Sequence, residues 1–174
     1  EGVSPLPFFD PHWYLTQNPD VRESDLTPLV HFVRNGEAEL RSPHPFFNVR
    51  FYLDTYPDVA ASSMGALRHY LTHGRTEWRR PNPFFDPEWY MRTYPDLSAG
   101  TVDPAMHYLE HGALDNREPG PDFCVQRYLA QYPDVAAYPG GALMHYLCHG
   151  AQEGRRIEPQ QTSLRSTISA DPHS

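Results

Sequence analysis

Residues recur along this chain at a fixed interval of 38 positions. Pro-Asp stands at Pro19-Asp20, Pro57-Asp58, Pro95-Asp96 and Pro133-Asp134. The same step links Tyr14, Tyr52, Tyr90 and Tyr128. It also links His31, His69, His107 and His145, then Gly36, Gly74, Gly112 and Gly150, then Arg41, Arg79, Arg117 and Arg155. No insertion breaks the register. A period of this length is the signature of a solenoid or array, in which each unit packs chiefly on its neighbours. It argues against an ordinary enzyme, whose site brings unlike residues together once.

One copy can be read as local structure. Asp86 suits a helix N-cap and Pro87 the first helical position. Phe85 before the cap and Tyr90 in the helix have the spacing of a hydrophobic staple, and the pair recurs as Phe9/Tyr14, Phe47/Tyr52 and Phe123/Tyr128. Pro95 biases Tyr94 away from helical angles, so the first helix spans about two turns. Asp96 then caps a short helical turn through Leu97-Ser98-Ala99, and a loop containing Gly100 follows. Asp103-Pro104 starts a second helix that runs to Gly112, read as a left-handed C-cap. The stretch from Ala113 to Pro121 reads as an extended connector. No segment alternates as a strand does. Helices this short need packing partners. The expected fold is therefore all-α: a short solenoid of four 38-residue two-helix repeats joined by extended Pro-rich connectors.

Composition fits that picture. An aromatic share of 13% supplies large side chains for the core, and most of the 19 prolines hold fixed places in the repeat. A formal charge of −8 disfavours nucleic acid as a partner. No apolar run approaches a membrane span. Cys124 and Cys148 occur only in the fourth unit without a spacing motif, which favours free thiols while leaving one disulfide open.

The second helix has two faces. Leu29, Phe32 and Val33, with their counterparts Leu67/Tyr70/Leu71, Ala105/Tyr108/Leu109 and Leu143/Tyr146/Leu147, form the expected core stripe. Opposite lie His69/His73, His107/His111 and His145/His149 as i, i+4 pairs, with His31/Asn35 in the first unit. Such pairs can share a metal, but neither a third ligand nor the base of an HExxH motif accompanies them. The structural reading gives the first histidine a hydrogen bond to the next unit and sets the second at a helix C-terminus, where positive charge is favoured. Arg41, Arg79, Arg117 and Arg155 recur beside Asp20, Asp58, Asp96 and Asp134. They form either a ladder of bidentate ion pairs or a repeated anion site. These seven histidines and four arginines are the candidate interaction face. No catalytic residue, metal ligand or cofactor-binding residue is assigned.

The units span about 5–42, 43–80, 81–118 and 119–156 within an array over residues 1–159, and 160–174 reads as a polar linker or disordered tail. Glu1-Gly2 aligns with Glu153-Gly154, as at the cut edge of a longer array. The fourth unit has Asp122 for Phe and Cys124 for the N-cap Asp, as suits a terminal capping unit.

The string Pro-Phe-Phe-Asp-Pro-Glu-Trp-Tyr, with Tyr-Pro-Asp-Leu and His-Tyr-Leu-Glu-His-Gly after it, resembles a bacterial tandem repeat of the form FDxxYYLxxNPDV…PLxHYLxxGxxEGRxP. Asn18-Pro19-Asp20-Val21 and Glu153-Gly154-Arg155 match that form directly. Leu40, Trp78 and Asn116 depart from it where it has Gly, which puts that glycine's tight turn in doubt. The resemblance implies a non-catalytic accessory module beside a glycosyltransferase of cell-surface polysaccharide synthesis, binding protein partners or polysaccharide. Its expected place is the bacterial cytoplasm, at the inner-membrane face. The alternative is a structural array in a secreted or surface adhesin or RTX-like protein.

Overall fold

The computed structural model describes residues 6–97 and 102–160. Among these residues it is helical without a strand, and extended pairing is limited to the isolated bridges His44–Phe47 and Gly120–Phe123. The same three elements return in each repeat. A first helix spans Pro11–Gln17, Val49–Thr55, Pro87–Thr93 and Val125–Gln131. A middle turn spans Pro19–Glu23, Pro57–Ala60, Pro95–Leu97 and Pro133–Ala137. A second helix begins as α at Pro28–His31, Ala66–His69, Pro104–His107 and Gly141–His145. It widens into π geometry over Phe32–Gly36, Tyr70–Gly74, Tyr108–Gly112 and Tyr146–Gly150.

The helix caps form at the starts of three first helices and at Asp103, whereas the middle turn begins at the Pro before Asp96, and Asp96 accepts from Arg117 instead of capping. Asp10, Asn48 and Asp86 accept the N–H of Trp13, Phe51 and Trp89, each at 2.9 Å. Cys124 makes no such bond. Asp103 caps the third second helix through Met106 N–H at 2.9 Å. The staple pairs also form, with ring centroids 5.2 to 5.8 Å apart.

The end of the second helix differs from expectation. Gly36, Gly74, Gly112 and Gly150 are not left-handed. They sit inside the π segment, where an added Cβ would come within 2.1 to 2.3 Å of the hydroxyl of Tyr14, Tyr52, Tyr90 or Tyr128. These glycines are therefore needed for close approach. The left-handed residue comes four positions later, at Leu40, Trp78, Asn116 and Gly154, with φ between 54° and 69°. The next N–H in each repeat returns to the buried glycine, as in Arg79 N–H to Gly74 O at 2.8 Å, completing a Schellman motif. The tight turn survives the loss of Gly at three positions, at a cost of about 1–2 kcal/mol for each non-Gly residue in left-handed geometry.

The core is aromatic, and Tyr14, Tyr52 and Tyr90 are wholly shielded from solvent. Phe32, Tyr70 and Tyr108 from the stripe join them, and Tyr146 packs partly buried against them. Val33 does not: it is 68% exposed, whereas its counterparts Leu71, Leu109 and Leu147 pack partly buried against the core. Contact between successive repeats runs through one ring. Phe8 packs on Phe46 and Tyr70, Phe46 on Phe85 and Tyr108, and Phe84 on Phe123 and Tyr146. The fourth repeat has Asp122 at this position, paired with Arg80 at 3.0 Å. A charge there cannot enter an apolar inter-repeat seam unpaired. The connectors are tied to the first-helix starts by bonds such as Asp10 N–H to Pro43 O and Asn48 N–H to Pro81 O, both 2.9 Å. Gln160 N–H donates to Pro121 O, so that residue belongs to the folded part. The tail expected over 161–174 and the loop expected at Ser98–Gly100 lie outside the described residues.

Candidate functional site

The candidate histidines and arginines gather on one ridge of each repeat, held by tyrosine and aspartate. His31, His69, His107 and His145 each meet the hydroxyl of a tyrosine 17 residues earlier, with Nδ1···Oη distances of 3.0 to 3.1 Å. The partner is in the same repeat, not the next one as the helical projection suggested. The reason is the buried glycine: without a side chain at Gly74, Tyr52 reaches across the second helix to its own repeat's His69. Burial pushes the pKa of His69, His107 and His145 down, and the nearby Arg79, Arg117 and Arg155 push the same way. Burial also raises the paired tyrosines, with Tyr128 pushed up to about 12. In the pairs at His69, His107 and His145 burial thus favours the neutral form of both partners.

His73, His111 and His149 are exposed on the last turn. Each ring lies 5.4 to 5.7 Å from the preceding histidine's ring. Among the described residues no three His, Cys, Asp or Glu side chains gather as a metal would require. Both cysteines are free thiols.

The arginines form pairs within one repeat. Arg41, Arg79, Arg117 and Arg155 bond Asp20, Asp58, Asp96 and Asp134, each 2.8 Å at the closest and 21 residues apart. These hydrogen bonds hold the four carboxyls below the usual aspartate range. Three of the guanidinium groups also lie 4.7 to 4.8 Å above Tyr56, Tyr94 and Tyr132. In the first repeat Asn18 takes the tyrosine's place and accepts from Arg41 at 3.1 Å. The same tyrosine hydroxyls accept from the connector at Arg80, Glu118 and Arg156 N–H. Each arginine therefore clamps middle turn, helix end and connector together.

A feature invisible to the repeat pattern lies elsewhere. The first helix of repeat one faces the second helix of repeat four, where Gln152 Nε2 donates to Gln17 Oε1 at 3.2 Å. Between them runs a groove of about 550 Å³, walled by Trp13, Tyr138 and Pro139, with His12, Gln17, His149 and Gln152 on its rim. A second groove of about 670 Å³ lies between the second helices of repeats one and two and is lined largely by Leu29, Phe32, Val33, Leu67 and Leu71. Of the candidate face only His149 reaches the first groove. Sequence reasoning missed Gln17, Gln152 and Tyr138, because nothing in a repeat shows which distant repeat its outer edge meets.

No helix among the described residues is long and apolar enough to cross a membrane. Comparison with family models, curated proteins and solved structures finds no match for this chain.

Proposed function

We propose that the four repeats make a short solenoid serving as a non-catalytic scaffold, an accessory module of a bacterial glycosyltransferase or polysaccharide-synthesis protein. Its role is to hold a protein partner or a glycan on the cytoplasmic side of the cell. One observation carries the non-catalytic part. The ionisable groups that recur in each repeat are engaged with one another, Tyr with His and Arg with Asp, so they serve as struts. A general base or nucleophile needs a shifted group facing a reacting atom, whereas these shifts arise from burial and mutual pairing. The polysaccharide context rests on the likeness of the repeat to the bacterial form named above. The test is a glycan array together with co-purification of a transferase, both with the full chain immobilised. Retention of a glycan or of a transferase supports the scaffold; retention of neither refutes it and favours a purely spacing role.

A further inference from the structure

We propose that the groove between repeats one and four is a single binding site for a neutral oligosaccharide, assembled only because four repeats bring these two edges together. This deepens the glycan arm of the scaffold reading and rests on it.

The size fits, since pockets for small ligands run from roughly 300 to 1,000 Å³ and this one holds about 550 Å³. The walls offer the flat apolar faces that a sugar ring's C–H surface requires, in Trp13 and Tyr138. Position 13 carries Trp89 in repeat three but Phe51 and Arg127 in repeats two and four, so the fold accepts side chains other than an indole there. The Trp13 Nε1–H is shielded and has no partner in the protein among the described residues. A donor left so costs about 1–3 kcal/mol, so the tryptophan is the expensive choice at a position that tolerates others.

The rim chemistry sets the ligand class. His12, Gln17, His149 and Gln152 are all exposed, and their side chains can both donate and accept, which matches hydroxyl groups. Among the described residues no arginine lines the groove and the one acidic residue is Asp10, so neither an anion nor a cation is favoured. The Tyr138 ring stands edge-on to His145 and His149, at 5.0 and 5.7 Å, which fixes its orientation.

The geometry also sets the number of sites. The Tyr–His and Arg–Asp ridge occurs four times, whereas a first repeat facing a fourth occurs once here. Ligand read on the ridge would bind with several equivalents per chain, and ligand in the groove with one.

The experiment titrates the full ¹⁵N-labelled chain with linear neutral hexasaccharides of glucose, mannose and galactose, and with an oligogalacturonate as acidic counter-probe. The three tryptophan indole N–H signals serve as reporters. The expected result is a shift of the Trp13 indole, with Trp78 and Trp89 unmoved, saturating at one equivalent of at least one neutral oligomer. Gln17→Ala combined with His149→Ala, both exposed, should weaken that binding at least tenfold while the circular dichroism spectrum and the remaining indole and amide signals stay unchanged. The proposal is overturned if no neutral oligomer moves Trp13, if the double variant binds unchanged, or if saturation needs several equivalents. In those cases a glycan bound elsewhere, or a transferase partner retained on the full chain, leaves the scaffold reading standing.

Discussion

Replacing Gly74 by Ala opposes two well-defined effects. Glycine is the poorer helix former, so Gly74→Ala in a helical segment should stabilise by about 1 kcal/mol on propensity alone. Here the new Cβ would lie 2.2 Å from Tyr52 Oη and 3.0 Å from Tyr70 Cδ2. Tyr52 cannot recede freely, because its ring is wholly buried and its hydroxyl meets His69 Nδ1 at 3.0 Å. Overpacking of this kind costs about 1–3 kcal/mol. Severing the buried Tyr–His bond adds about 1–3 kcal/mol. The net expectation is a loss of about 1–5 kcal/mol, centred near about 3, which is a large share of a typical domain's stability. Urea unfolding followed by circular dichroism should show the midpoint fall by roughly 1–2 M at unchanged slope. In a Tyr52→Phe background the offending oxygen is gone, so Gly74→Ala should cost much less there, giving a coupling opposite in sign to simple addition. A Gly74→Ala chain as stable as the parent, or more so, would falsify the close-approach argument for all four glycines.

Gly154 offers the complementary case, since its φ is +69° and no atom lies within 4 Å of an added Cβ. Gly154→Ala should therefore lose only the strain of left-handed geometry, about 1–2 kcal/mol, visible as a smaller midpoint shift than at Gly74. Acid should destabilise the fold. His44 packs against Phe8, accepts the Phe46 N–H and is pushed down to about 4 by burial, so it is neutral when folded and protonates near 6.5 when unfolded. Stability is then fully present above about pH 6.5 and falls as pH drops toward about 4, by up to about 3 kcal/mol from this residue. His69, His107 and His145 add to the slope in the same sense, while the buried carboxyls of Glu37 and Glu118, raised by burial, oppose it. Asn82 does the same work in the third repeat, accepting from Phe84 N–H at 2.9 Å without titrating. His44→Asn should accordingly flatten the dependence of melting temperature on pH between 4 and 6.5; an unchanged slope would place the acid sensitivity elsewhere. Arg79→Lys should lower the melting temperature, because an ammonium keeps the charge but loses the two-pronged grip on Asp58 and the stack on Tyr56. If thermal stability holds and only ligand binding is lost, the arginine row is a site and not a strut.

The amino-acid sequence alone determined whatever depends on residues a few positions apart. Asp86 and Pro87 start a helix because the cap reaches only to Trp89, and Phe85 staples Tyr90 across one turn. The recurrence of these signals at one spacing made the helical character legible. Tertiary structure decided the rest. A helical wheel put Val33 in the core and sent the histidines to a neighbouring repeat. The missing side chain at each glycine reversed the second, because it lets a tyrosine 17 residues back reach its own repeat's histidine, while Val33, unlike its counterparts in the other repeats, stays exposed beside the groove between repeats one and two. The arginines were visible as a row, but their use as clamps depends on how the chain turns back between partners 21 positions apart. Furthest from the sequence is the meeting of Gln17 with Gln152, 135 residues apart. It depends on how the repeats pack through their aromatic seams, which no residue within one repeat records.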